Sequence, residues 1–115
     1  MKLPDAQIEH RSANTVTLTL TVPGTHEAFA GHFPGHPILP GVVQLDWAMR
    51  LATQHFTLPA YRAEDIRIKF RSIITPDKPL ALDLRFDPAK NRLNFCYRDD
   101  AVEMSSGQIR LAGAA

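Results

Sequence analysis

Three of the nine prolines in this 115-residue chain, Pro34, Pro37 and Pro40, fall within a single seven-residue stretch. Each ring locks φ near −65° and removes a backbone donor, and each also pushes the preceding residue into extended conformations. The stretch must therefore run stiff and extended, and a chain that accepts this restriction is holding something in place. The run reads Gly31-His32-Phe33-Pro34-Gly35-His36-Pro37-Ile38-Leu39-Pro40-Gly41. Directly after it, Val42, Val43, Leu45, Trp47, Ala48, Met49, Leu51, Ala52 and Phe56 cover most of the circumference of a helix expected over 42–56. Pro40 sits where a first helical residue would, with its missing N–H costing nothing there, and Leu58-Pro59 ends the element. A helix apolar nearly all round has to be enclosed by the rest of the chain.

The rest of the chain is written mainly in strands. Val16, Leu18, Leu20 and Val22 alternate with Thr15, Thr17, Thr19 and Thr21, the period of a half-buried strand. Ile66, Ile68 and Phe70 alternate with Arg67, Lys69 and Arg71; Leu80, Leu82, Leu84 and Phe86 with Ala81, Asp83 and Arg85; and Leu93, Phe95 and Tyr97 continue the pattern. A last strand is expected from Val102 to Leu111, weakened by Ser105-Ser106-Gly107. Turns are expected at Thr75-Pro76-Asp77, at Asp87-Pro88-Ala89-Lys90-Asn91 and at Asp99-Asp100. Such short connections imply antiparallel neighbours. The sum is one α+β domain over 1–115, an antiparallel sheet packed on a central helix. Residues 1–14, polar and mixed, read as an ordered lead-in or a frayed end.

Composition narrows the function classes. A formal net charge of +1 argues against broad nucleic-acid binding. The single cysteine, Cys96, excludes an internal disulfide and suits a reducing compartment. The start Met1-Lys2-Leu3-Pro4-Asp5 lacks the apolar stretch of a signal peptide, and no apolar run is long enough to span a bilayer, so a cytoplasmic location is expected.

The chemistry concentrates around the stiff loop. Leu39 offers no side-chain oxygen as an N-cap, so the N–H groups of Gly41 and Val42 need another acceptor, and a helix N-terminus favours developing negative charge. Gly41 has no Cβ, leaving room for a ligand to approach its backbone. A carbonyl polarised there gains an acidic α-proton, and His32 is a suitable base. Asp46, on an apolar helix, would have its carboxyl pKa raised by desolvation and so serve as the acid. The opposing reading pairs Asp46 with Arg50 one turn later. His36 lies four residues from His32, but the prolines between them prevent a helical ligand face, and no metal or cofactor is expected. His26 and Glu27 read as turn residues, His10 and His55 as incidental, and Cys96 as inert packing. Arg67, Lys69 and Arg71 form a basic stripe on one strand face, either solvated or a docking surface for an acidic partner.

The run from Gly31 to Trp47 resembles the 3-hydroxyacyl-(acyl-carrier-protein) dehydratases of fatty-acid synthesis, with their hot-dog fold of an antiparallel sheet around a central helix. The family pattern is His-Phe-Pro-x-x-Pro-x-x-Pro-Gly with an acid fourteen residues after the histidine. Here it falls on His32 to Gly41 with Asp46 as the acid, and Lys69-Phe70-Arg71 with the Pro76-Asp77 turn resembles a second family signature. The resemblance extends over about 16–112. It implies His32 as base, oriented by the Ile38 carbonyl, Gly41 N–H as the polarising donor, and Asp46 protonating or orienting the leaving 3-hydroxyl. It also implies Ile38, Val42, Phe33 and Pro40 near the substrate, and acyl carrier protein docking on Arg67, Lys69 and Arg71. A homodimer is implied too, because the family draws the histidine and the acid of one site from different subunits. Aspartate at the acid position resembles the branch that also isomerises its product. The stretch Gln44-Leu45-Asp46-Trp47 resembles compact dehydratases of aryl-polyene-type lipid pathways. Two features depart from the pattern: the family's Pro-His-Arg-type N-terminal motif does not occur, and Arg50 stands where the family has glutamine. Two rival functions fit the same fold, an acyl thioesterase using Asp46 to activate water and a non-catalytic acyl-thioester binding module.

Overall fold

The computed structural model describes residues 1–31, 35–58 and 61–113. Six strands form one antiparallel sheet: β1 (Ala6–Arg11), β2 (Thr15–Thr21), β3 (Tyr61–Phe70), β4 (Pro79–Asp87), β5 (Arg92–Asp99) and β6 (Val102–Gly113), in the order β1-β2-β4-β5-β6-β3. A single α-helix among the described residues, α1 (Gly41–His55), lies between β2 and β3 in the chain, so that β3 returns at the far edge of the sheet. This is the α+β arrangement expected from the alternation of the strands, and the hot-dog fold that the family resemblance implies.

The inner face of the sheet is the apolar half of each alternating strand. Val16, Leu18 and Leu20 of β2, Leu80, Leu82, Leu84 and Phe86 of β4, Leu93, Phe95 and Tyr97 of β5, and Ile109 and Leu111 of β6 are all buried. Against them α1 lays Val43, Trp47, Ala48, Leu51 and Ala52. Trp47 is fully buried, its ring edge-on to His26 with centroids 5.3 Å apart, and its indole N–H has no acceptor among the described residues. The three expected turns are tight ones whose key residues adopt left-handed backbone: Asp77 (φ 69°), Asn91 (φ 47°) and Asp100 (φ 55°). Asp and Asn tolerate that region because their side chains bond locally.

Three expectations need correction. Residues 6–11, within a segment expected as an ordered lead-in or a frayed end with no strand, form a paired edge strand, with Ala6 opposite Leu20 and a bulge between Ile8 and His10. All six are exposed, so no alternation was written into them. The helix begins at Gly41 and ends at His55, with Pro40 as its N-cap (φ −62°, ψ 145°) rather than its first residue. Nor is it enclosed all round within one chain: the sheet covers one side, and Val42 is 73% exposed. The outer face of the sheet is polar, tied at its centre by Thr17 and Arg98 on the Asp83 carboxylate. The Arg98 hydrogen bond holds that carboxyl below the ordinary aspartate range.

Gly107 of β6 faces inward opposite Ile68, and the Phe95 ring fills the space its side chain would occupy. A Cβ there would overlap the Phe95 ring and lie 3.1 Å from the Arg67 carbonyl oxygen. Phe95 is buried, so making room for the new methyl means shifting a packed ring, and Gly107→Ala should lower unfolding free energy by about 1–3 kcal/mol through overpacking. Urea unfolding of the two proteins measures this; an unchanged midpoint would show that the ring has room to move.

Candidate functional site

The stiff loop delivers the chain to α1 through Leu39 and Pro40, and both are held from several directions. The Leu39 N–H donates to the Ile74 carbonyl (2.8 Å) in the β3–β4 connection. The Leu39 carbonyl accepts from Gln44 Nε2 (3.0 Å) in the first turn of the helix. The Pro40 carbonyl accepts from the N–H groups of Val43 and Gln44, each at 3.1 Å. In a trans peptide the C=O and N–H point in opposite directions. With the Pro40 carbonyl aimed down the helix, the Gly41 N–H is aimed off its N-terminus. Among the described residues no side chain caps this end, and helix geometry leaves the Gly41 and Val42 donors without intrahelical acceptors.

Gly41 forms part of a cleft of about 530 Å³ lined by Ile38, Leu39, Pro40, Gln44, Phe70, Arg71, Ser72 and Ile73. Its walls are mainly apolar, so the cleft suits a carbon chain with a polarisable head at the helix start. The missing Cβ of Gly41 serves a neighbour before it serves any ligand: the Phe70 ring stands 2.5 Å from where that atom would be. Phe70 is 57% exposed, which leaves the ring a movable wall.

Gln44 is the residue that sequence reading missed. Only 4% exposed, it donates through Nε2 to Leu39 and accepts at Oε1 from Ser105 Oγ (2.7 Å). Its own carbonyl accepts from the Tyr97 hydroxyl (2.7 Å). Burial pushes the Tyr97 hydroxyl pKa upward, with the Asp46 carboxylate adding to the shift, so it stays a donor. The one available signal was a glutamine within an otherwise apolar helical stripe.

The other candidates divide by location. Asp46 is not the desolvated group expected: its side chain is 46% exposed and accepts from Arg50 Nη1 at 3.2 Å. Arg50 is held in turn by the Met1 carbonyl, so it does not point away from the acid. Asp46 also lies outside the lining of the Gly41 cleft, and so does Val42, which was expected to touch substrate; Ile38 and Pro40 do line it. His32 and Phe33, with Pro34, lie outside the described residues. They are flanked by Gly31 and Gly35, both at φ 78°, a conformation that glycine adopts without strain.

Arg67, Lys69 and Arg71 share the wall of a second opening of about 810 Å³ along β3. Arg71 is paired with Glu103, and Arg67 lies 3.6 Å from Asp65, while Lys69 has no ion pair among the described residues. Cys96 is half-buried with its thiol pushed up to about 11, mainly by burial, consistent with inert packing. His26 caps the short helical turn Glu27–Phe29, its Nδ1 accepting from the Ala28 N–H while Nε2 donates to the Lys2 carbonyl. No helix among the described residues is long and apolar enough to cross a membrane.

Comparison with known proteins bears on this arrangement as a whole. Residues 7–108 match the family model described as ApeI-like, ApeI dehydratase. The chain is 34% identical over 88 residues to the 3-hydroxyacyl-(acyl-carrier-protein) dehydratase FabZ of Fusobacterium nucleatum, a match covering 66% of this chain and 60% of that enzyme. It is 28% identical over 105 residues to the Oenococcus oeni enzyme of the same name, covering 84% of this chain and 75% of that one. Among solved structures, it superposes on a chain of the dehydratase heterocomplex ApeI:P from Xenorhabdus doucetiae with a TM-score of 0.87 and 33% identity, covering 97% of this chain and 99% of that one. An uncharacterised protein from Erwinia carotovora subsp. atroseptica gives a TM-score of 0.80 at 35% identity, covering 97% and 98%. The chain belongs to the ApeI-like family of dehydratases.

Proposed function

We propose that this chain removes water from 3-hydroxyacyl thioesters carried on acyl carrier protein, giving trans-2-enoyl products, in an aryl-polyene-type lipid pathway. The observation that carries the reading is a helix N-terminus at Gly41, with no side-chain cap among the described residues, that lines an apolar cleft in a chain of this family. The thioester carbonyl accepts from Gly41, which stabilises the negative charge that grows on its oxygen as the α-proton leaves. His32 takes that proton, the electron pair forms the C2–C3 double bond, and the C3–oxygen bond breaks. The proton and the 3-hydroxyl depart together as one water. Asp46, tied to Arg50, orients the leaving hydroxyl through its free carboxylate oxygen. The pathway reading rests on similarity to the Xenorhabdus relative.

Asp46 lies outside the Gly41 cleft of its own chain, which supports a site completed by a second copy. The free edge strand β3 is where the copies would meet: Ile66 and Phe70 project inward from it with 43% and 57% exposure, beside unpaired backbone groups. The pair is a homodimer in this scheme. Acyl carrier protein, an acidic partner, docks along the outer side of the same strand at Arg67, Lys69 and Arg71, with Lys69 contributing the most available charge.

Incubation with a panel of aliphatic and aryl 3-hydroxyacyl-carrier-protein substrates tests the reaction. Enoyl absorbance should rise without release of free thiol. His32→Ala should cut kcat by roughly 100- to 10,000-fold, and Asp46→Asn, which keeps a hydrogen-bonding side chain, should cut it less. Thiol release instead of enoyl formation would point to a thioesterase, and no turnover of any substrate would defeat both enzyme readings. For docking, Lys69→Glu should raise KM for the carrier-linked substrate while leaving turnover of the same acyl group on free pantetheine unchanged; an equal effect on both substrates would place Lys69 elsewhere in the reaction. Sedimentation should give twice the 12.8 kDa chain mass, reduced to one chain by Phe70→Asp. A monomeric wild-type protein that turns over substrate would show the site to be complete in one copy.

A further inference from the structure

A buried amide in an apolar interface is costly unless every polar atom is matched. The Gln44 amide meets that condition with partners from two parts of the chain, the pre-helix loop at Leu39 and β6 at Ser105, while its backbone carbonyl separately accepts from Tyr97 of β5. The matching also assigns the amide. The Leu39 carbonyl can only accept, so Nε2 faces it, and Oε1 is left to receive the Ser105 hydroxyl. A well-packed apolar side chain at this position would avoid the desolvation altogether. It could not hold the Leu39 carbonyl, because it would offer that acceptor no N–H or O–H donor.

That carbonyl matters because the Pro40–Gly41 peptide hangs from it. Leu39 is pinned at its N–H by Ile74 and at its C=O by Gln44, and the Pro40 ring leaves only ψ free to turn the next peptide. The helix holds one side of the Pro40–Gly41 peptide, through the Val43 and Gln44 N–H groups on the Pro40 carbonyl, and Gln44 holds the chain leading into it; releasing Leu39 would let that peptide tilt, and with it the donor at the wall of the cleft. We propose that Gln44, braced by Ser105, is a positioning residue for dehydration: it fixes the orientation of the Gly41 N–H toward the substrate carbonyl. This rests on the proposed reaction at Gly41. Gln44 itself touches no reacting atom in this scheme. Its effect comes through the backbone it holds, and a donor displaced by about 1 Å can cost on the order of 100-fold in rate.

The test compares wild type with Gln44→Met, Ser105→Ala and Tyr97→Phe. Methionine matches the volume without the amide, and Ser105→Ala leaves Gln44 in place but unbraced. Tyr97→Phe removes a buried hydrogen bond to Gln44 without touching the amide, and so controls for lost stability. Gln44→Met should lower kcat by roughly 10- to 100-fold with KM for the carrier-linked substrate near the wild-type value. Ser105→Ala should shift kcat in the same direction by less, and Tyr97→Phe should lower the melting temperature while sparing kcat. A proton–nitrogen correlation spectrum of the Gly41 amide provides a readout independent of turnover: it should move in Gln44→Met and Ser105→Ala and hold in Tyr97→Phe. Wild-type kcat in Gln44→Met, or a kcat loss that Tyr97→Phe reproduces, would overturn the proposal. If Gln44→Met does not fold, Ser105→Ala decides by the same criteria. An inactive wild type with a Gly41 signal that moves as expected would refute the reaction yet keep the positioning role; an unmoved signal would refute the role whatever the activity.

Discussion

Burial of Trp47 against the inner face of the sheet sets the rotational phase of α1, and the site depends on that phase. With Trp47, Ala48, Leu51 and Ala52 pressed on the sheet, helical geometry puts the residue three positions before Trp47 on the same buried side. That residue is Gln44, a polar group that the packing carries inward. The same rotation turns Val42, Asp46 and Arg50, spaced by four, away from the sheet. One packing contact thereby separates a buried brace from an exposed acid.

The proposed site is thereby divided in two within one chain. On one side, the loop, the helix start and the β3 edge enclose an apolar cleft with backbone donors at its head. On the other side, Asp46 and Arg50 form a half-exposed pair strapped by the Met1 carbonyl. An exposed ion pair is worth little for stability, so its interest is geometric: it holds one carboxylate oxygen and leaves the other without a partner among the described residues. The apolar residues at the β3 edge give a physical reason for a partner there, since an uncovered edge with Ile66 and Phe70 exposed is costly in water.

Strand alternation made much of the fold legible before any coordinates. β2, β4 and β5 each write one apolar residue in two because one face packs and the other meets water. β1 escaped notice for the same reason in reverse, with neither face covered and nothing to alternate. The turns at Asp77, Asn91 and Asp100 were legible because few residue types accept left-handed backbone. The helix start slipped by one residue because proline is tolerated both at the cap and just inside it. Cys96 was read as inert from its place mid-strand, and burial keeps it so.

The chemistry was legible only in part. Sequence alone determined the stiff proline-braced loop, the donor at Gly41 and the acid just over one turn further on, because local sterics and helix spacing act over a few residues. The tertiary structure decided that Arg50 takes hold of Asp46, that the Gly41 cavity is shared with Phe70, and that the acid stands outside the cleft. It also decided that Gln44, to which the sequence assigns no role of its own, joins the loop to Ser105, 61 residues away. Those outcomes depend on which face of α1 the sheet covers and on β3 returning to the far edge, and such long-range pairings are set by the summed packing of the whole core.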